Sequence, residues 1–313
     1  MISKAVLICG SVAFDTIAVF DGRFKEHILA DRIHALSVSF LVPSMRKEYG
    51  GCAGNIAYNL KRLGGNPLPV ATIGEDAVDY LARLYALGVE TRRMLVVPDM
   101  LTAQCFITTD LDDNQISAFH PGAMEHSAKN DVSDEDAAWA IVAPDSKVGM
   151  LTHVDRLSKA GVPTIFDLGQ AMPLFDGDEL LDVIGKVQAL ALNDYEASVV
   201  EQRTGKSIEQ IAVDLEAVVV TRGAQGATLY SDGKVTEIAP VPAEQVVDPT
   251  GCGDAHRAGL LYGLTQGWNW ERACMLGNVM GSIKIASRGP QNHEVEPEVV
   301  DQRMRAVYGI GLK

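Results

Sequence analysis

The sequence predicts an α/β fold: a mainly parallel sheet covered by helices on both faces, with a small separate β-sheet over one edge. Three observations predict it. Short, continuously apolar segments alternate with helical stretches, the pattern of strands buried on both sides. Two helices are entered through glycine-rich turns, after residues 50 and 250. One stretch, 102–119, breaks the rhythm with a hairpin pattern that has no place inside a parallel sheet.

Size and charge narrow the function. A chain of 313 residues, 47% hydrophobic and 22% charged, can form one large α/β domain with insertions or two modest ones. No repeat, low-complexity tract or long linker marks a boundary, so a single domain over 1–313 is expected. The formal net charge of −14 argues against a nucleic-acid partner, which calls for a basic face. Cysteines 9, 52, 105, 252 and 274 form no Cys-x-x-Cys pair and read as reduced thiols. The apolar run Ala5 to Cys9 is too short for a signal peptide or a membrane span. A soluble, cytoplasmic protein without a membrane partner is expected.

Taken in order, Ala5 to Cys9 reads as a buried strand closed by Gly10-Ser11, and Asp15 to Phe20 as a half-exposed one. Gly50-Gly51-Cys52-Ala53-Gly54-Asn55 precedes a helix over 56–65. There the glycines either admit a small ligand or pack the helix tightly on the sheet, and Asn55 offers a donor and an acceptor to sugar-type hydroxyls. Pro69 to Gly74 and Ala77 to Leu87 form a β-α unit. Gln104 to Thr109 and Gln115 to Phe119 form the hairpin, expected to pair with Asp15 to Phe20 and part of 37–49. Phe106 and Phe119, on its two strands, make a stacking slot or an ordinary cross-strand pair.

The rhythm then resumes, with strands at Trp139 to Val142, Pro163 to Asp167, Gln188 to Leu192 and Ala217 to Thr221. In such sheets ligands gather at the carboxyl ends of strands. Asp167 to Gln170, Asn193 to Glu196 and Thr221-Arg222-Gly223 all fall there. Asn193 and Glu196, three apart at a helix start, present oxygens to magnesium or form a capping box; by spacing alone the box is the better account. Arg222 reaches a phosphate or a surface carboxylate. Gly205-Lys206-Ser207 looks like the end of a P-loop but lacks its first glycine, and a helix C-cap explains it better.

The most informative stretch is Asp248-Pro249-Thr250-Gly251-Cys252-Gly253-Asp254, preceded by a β-prone 245–247 and followed by a helix. Unpaired N–H groups and the helix dipole favour an anion at such a turn. Asp254 there is a base for an attacking hydroxyl or simply an N-cap, and taken alone the stretch is better explained by the cap.

Together these motifs resemble the ribokinase (PfkB) family of carbohydrate kinases over nearly the whole chain. The resemblance implies a three-layer α/β/α fold with a β-lid from segments near 14–48 and 100–122, and phosphoryl transfer from ATP with Mg2+. It implies Asp254 as catalytic base and the backbone N–H groups of Gly251, Cys252 and Gly253 as anion hole. Asn193 and Glu196 match the magnesium segment, and Thr221, Arg222, Gly223 and Gly226 a strand end at the nucleotide. Asp248 and Thr250 fall where some members place a monovalent cation such as K+.

The match is closest to the adenosine and nucleoside kinase branch, which assigns Ser11, Asp15, Gly50, Gly51, Asn55, Phe106, Phe119 and Gln170 to the nucleoside. Cys252 stands where alanine is usual, and His256 where an aromatic residue is. His256 reads as a buried, hydrogen-bonded residue. A sugar kinase and a catalytically silent sugar- or nucleoside-binding regulator are the alternatives, and the chain is expected as a monomer or homodimer.

Overall fold

The computed structural model describes residues 4–28, 37–112, 114–133 and 135–312. Part of the expected lid segment, 29–36, and residue 113 of the hairpin turn lie outside the described residues. The main sheet contains nine described strands: β1 (Ala5–Cys9), β4 (Pro67–Ile73), β5 (Met94–Val96), β8 (Ala137–Val142), β9 (Thr164–Asp167), β10 (Ala189–Asn193), β11 (Ala217–Thr221), β12 (Ala227–Ser231) and β13 (Lys234–Ile238). Their spatial order is β13-β12-β11-β10-β9-β8-β1-β4-β5. Every neighbour from β11 to β5 is parallel, whereas β12 and β13 close the other edge as an antiparallel hairpin that the sequence reading did not anticipate.

Alternation along the strands explains the layers. In β1, Val6 and Ile8 face a core shared with α2 (Cys52–Arg62), α3 (Val78–Ala86), α8 (Cys252–Thr265) and α9 (Trp270–Lys284). Leu7 and Cys9 face the opposite core, shared with α4 (Lys147–Ala160), α5 (Gly177–Ile184), α6 (Asp194–Thr204) and α7 (Ile208–Ala212). Apolar residues at successive positions therefore fill both sides of the sheet. A short α1 (Phe24–His27) follows the second strand, and α10 (Pro297–Tyr308) packs Val300 and Met304 on α9.

The smaller sheet has four described strands, β2 (Ala13–Val19), β3 (Ser44–Gly50), β6 (Ala103–Thr109) and β7 (Gln115–His120), in the order β3-β2-β6-β7. It is the separate sheet expected from the hairpin pattern, with β2 parallel to β6 at its centre. Four connections run between the sheets in the described element order, and two of them meet. Residues 10–12 lead from β1 into β2, and Gly51 leads from β3 into α2. Gly51 has φ +83°, and a Cβ there would lie 2.6 Å from the Ser11 carbonyl oxygen and from Ala13 N, so the crossings touch backbone to backbone.

Two expectations change, and the helix C-cap reading of Gly205 holds. Helix α2 begins at Cys52 rather than at 56, which puts Asn55 inside its first turn. Residues 245–247 form no strand; the N–H groups of Val247 and Asp248 instead donate to the Ile285 carbonyl at the end of α9. Gly205, at φ +67°, closes α6, and Ser207 caps α7, so the P-loop-like tripeptide joins two helices.

Candidate active site

A cavity of about 940 Å³ opens at the carboxyl ends of β9, β10 and β11 and runs to the start of α8. Gln170, Asn193, Glu196, Thr221, Gly223 and Gly226 line it, together with Thr250 to Asp254. Helix α8 starts at Cys252, with Gly251 as its N-cap at φ +81°. A Cβ on Gly251 would come within 2.7 Å of the Pro290 side chain, so the tight turn depends on glycine twice over. The N–H of Cys252 donates to the Pro249 carbonyl at 3.1 Å. The expected donor trio is therefore altered: the N–H groups of Gly251, Gly253 and Asp254 are left without protein partners among the described residues.

Asp254 is not the cap of this helix. It sits in the first turn, and its Oδ2 accepts a hydrogen bond from Asn55 Nδ2 at 2.8 Å, across from the first turn of α2. Burial is the main cause that lifts its carboxyl to about 6; the nearby Asp167 charge pushes the same way, while Asn55 and Arg257 oppose the rise. Asn55 is itself fixed, since its Oδ1 accepts from Gln291 Nε2 at 3.0 Å. Gln291 also donates to the Tyr80 hydroxyl, which donates in turn to the Gly50 carbonyl. One chain of hydrogen bonds thus runs from the carboxylate to the rim of the small sheet.

Arg257 was not foreseen. Three residues after Asp254 on the same helical face, it forms a two-pronged pair with Asp167, Nε to Oδ2 at 3.1 Å and Nη2 to Oδ1 at 3.3 Å, both side chains buried. The i, i+3 spacing from Asp254 was the available signal, but nothing local pointed to its partner. His256 is buried against α9, with its Nε2 3.8 Å from Cys274 Sγ, and burial lowers its pKa to about 3. It is a neutral packing residue. The Cys252 thiol lies 4.0 Å from the Asp248 carbonyl oxygen.

Asn193 and Glu196 form the full capping box of α6. Asn193 Oδ1 accepts from Glu196 N, and Glu196 returns both carboxylate oxygens to Asn193 N and Nδ2, each at 2.8 Å. Burial, and secondarily the Asp167 charge, raise the Glu196 carboxyl. A divalent cation beside it would relieve that unfavourable negative charge. With both oxygens engaged, the donor set fits a hydrated ion held through water.

The residues on the small-sheet side are differently disposed. Ser11 Oγ accepts from Cys52 N at 3.1 Å, holding the start of α2. Asp15 lies under Gly50, where a Cβ would meet its Oδ2 at 2.5 Å, and burial, then Glu48 and Asp248, lift its carboxyl to about 6. The slot expected between Phe106 and Phe119 is not formed. Phe119 pairs with Cys105, and Phe106 with Ala118, so the two rings project from opposite faces of the hairpin. Phe119 shares its face with Asp15, which also pairs with Cys105. Arg222 does not line the cavity; its guanidinium pairs with Glu237 on β13.

The oxygens associated with a monovalent cation are also engaged. Asp248 Oδ1 accepts from Thr250 N and Oδ2 from Gly289 N, each at 2.9 Å. The Asp248 carbonyl accepts from Lys284 Nζ at 2.8 Å. This group does not fit K+, because the Lys284 ammonium already places a positive charge against it and both Asp248 carboxylate oxygens hold backbone donors.

A model of the "pfkB family carbohydrate kinase" matches residues 15–297. The nucleoside kinase of Burkholderia thailandensis, solved in complex with inosine, is 48% identical, with a TM-score of 0.89 over 98% of this chain and 99% of that one. The nucleoside kinase of Methanocaldococcus jannaschii is 28% identical over 82% of this chain and 85% of its own. Its solved structure superposes with a TM-score of 0.89 over 97% of this chain and 98% of that one.

Proposed function

The chain belongs to the pfkB family of carbohydrate kinases, and from that membership we propose that it transfers the γ-phosphoryl group of ATP to the 5′-hydroxyl of a ribonucleoside. Its reaction class comes with the family: it is a phosphotransferase acting on a hydroxyl group. The observation that carries the finer reading is the Asp254 carboxylate, half-buried beside the open N–H groups of the 251–254 turn and tied to Asn55 on the opposite helix.

Asp254 has the position and basicity of the base. Lifted to about 6, it is more basic than an ordinary carboxylate yet still ionised at neutral pH. It takes the proton of the attacking hydroxyl, while the N–H groups of Gly251, Gly253 and Asp254 orient the phosphoryl oxygens in line with it. Arg257 neutralises Asp167, so that Asp254 is not pushed to still higher pKa by an unpaired neighbour. Asn193 and Glu196 would hold Mg2+ through water, where it would supply positive charge against the phosphates.

Ser11, Asp15 and Asn55 hold the ribose, and Phe119 stacks on the base. The four-stranded sheet serves as the lid of this single domain, closing over the acceptor to exclude water from the donor phosphate. Support for a nucleoside over a free sugar comes from the kinase solved with inosine and from another structure of the same protein in complex with ADP-inosine, 49% identical to this chain.

A coupled assay with ATP and Mg2+ over adenosine, inosine, guanosine, cytidine, ribose and fructose tests the assignment. Nucleosides are expected to outrun the free sugars; ribose as the best acceptor would overturn the nucleoside reading. Asp254→Asn should lower turnover by about 10²–10⁴-fold with nucleoside binding retained. Unchanged turnover would remove Asp254 from the reaction.

A further inference from the structure

Lys284 ends α9 and has 0% of its surface exposed, an unusual situation for a lysine. A buried ammonium persists only where its donors are satisfied. Here Nζ donates to two backbone carbonyls, Asp248 O at 2.8 Å and Ser287 O at 2.9 Å. A lysine that merely closed its helix would satisfy itself on that helix. Lys284 instead bridges the turn before α8 to the loop after α9.

That bridge has consequences at the site. The loop beyond Ser287 supplies Gly289 N to Asp248 Oδ2, Pro290 beneath Gly251, and Gln291 Nε2 to Asn55 Oδ1. The ammonium therefore joins the segment that carries the open N–H groups to the segment that fixes the partner of Asp254. It stands on the main chain of Asp248, at the position the resemblance gives to a monovalent cation, and a K+ beside it would meet a like charge at close range.

We propose that Lys284 is a tethered replacement for the monovalent cation: its ammonium holds the 248–251 turn in shape, and the enzyme works without K+. Lys284 is a positioning residue, since it reaches the phosphoryl site only through the turn. This inference rests on the kinase reading above, and the test separates the two.

Wild-type protein and Lys284→Met are compared in KCl and in tetramethylammonium chloride at equal ionic strength, by steady-state kinetics and by thermal melting. Wild-type turnover should agree within about twofold between the salts, and its melting temperature should not depend on the cation. In Lys284→Met, loosening of the turn should lower kcat on the order of 10²-fold in tetramethylammonium, and KCl or NH4Cl should restore part of it. The variant should also melt higher in KCl than in tetramethylammonium, because an ion that binds only the folded state stabilises it.

Saturable activation of the wild-type enzyme by K+, or a wild-type melting temperature that rises with K+, would overturn the proposal. So would a Lys284→Met enzyme with unaltered kcat and no response to K+. If the variant fails to fold, the two wild-type measurements still decide. A protein without turnover in either salt refutes the kinase reading, while the melting comparison continues to report on Lys284.

Discussion

Asp254 shows how far one environment can set a residue's work. Its carboxyl and that of Asp15 are both lifted to about 6, chiefly by burial. Activity should therefore have an acidic limb: kcat/KM is expected to rise with pH through about 6, a limb that would sit near 4 if Asp254 titrated like an exposed aspartate. The stability effect has the opposite sign. A carboxyl whose pKa is higher folded than unfolded adds stability that is complete below the unfolded value and lost as pH rises through about 6. Asp254→Asn escapes that loss, so its melting temperature relative to wild type should climb between pH 5 and pH 8; a margin that shrinks over that range would contradict the burial assignment. Asp254, Asn55 and Glu196 were legible because each belongs to a short motif. Arg257, Gln291 and Lys284 were not, since their partners lie 90, 236 and 36 residues away along the chain. Local spacing carries no trace of such pairs.

At the scale of elements, the hairpin of β6 and β7 was readable as a hairpin, but the direction of its side chains was not. Register decides that, and a shift of one residue sends every ring to the other face. With Phe119 on the face of Asp15 and Phe106 on the reverse, the two phenylalanines should behave differently. Phe119→Ala is expected to raise the nucleoside KM by roughly 2- to 12-fold, the worth of one aromatic contact, while Phe106→Ala leaves it near the wild-type value. Equal effects from both variants would restore the two-sided slot. The same lesson applies to Arg222. Its strand was evident as β11, yet the neighbouring hairpin of β12 and β13, which supplies Glu237, was not recognised, so the pair that holds Arg222 could not be foreseen. The buried parallel strands were legible for the converse reason: each satisfies two cores at once, and that demand is written as continuous apolar runs.

For the whole molecule, the proposed closure of the four-stranded sheet has a measurable signature. Hydrogen exchange of β2 and β6 should slow when a nucleoside binds, and respond much less to ATP alone, because the proposed acceptor site, and not the donor site, lies on that sheet; equal slowing by either ligand would argue against a lid. The crossings at residues 10–12 and Gly51 give the movement a particular meaning. Asp15 belongs to the small sheet, whereas Asn55 and Asp254 belong to the helices on the large one, and residues 10–12 and Gly51 are among the contacts between them. In the proposed reading the acceptor pocket would therefore be complete in only one arrangement of two bodies. An acceptor's apparent dissociation constant is its intrinsic value divided by the fraction of molecules already in that arrangement. Affinity for nucleosides can then be altered without touching a single ligand contact and without changing selectivity: a substitution at the backbone crossing of Ser11 and Gly51 that changes this fraction would scale every acceptor's affinity by the same factor, leaving their ranking intact.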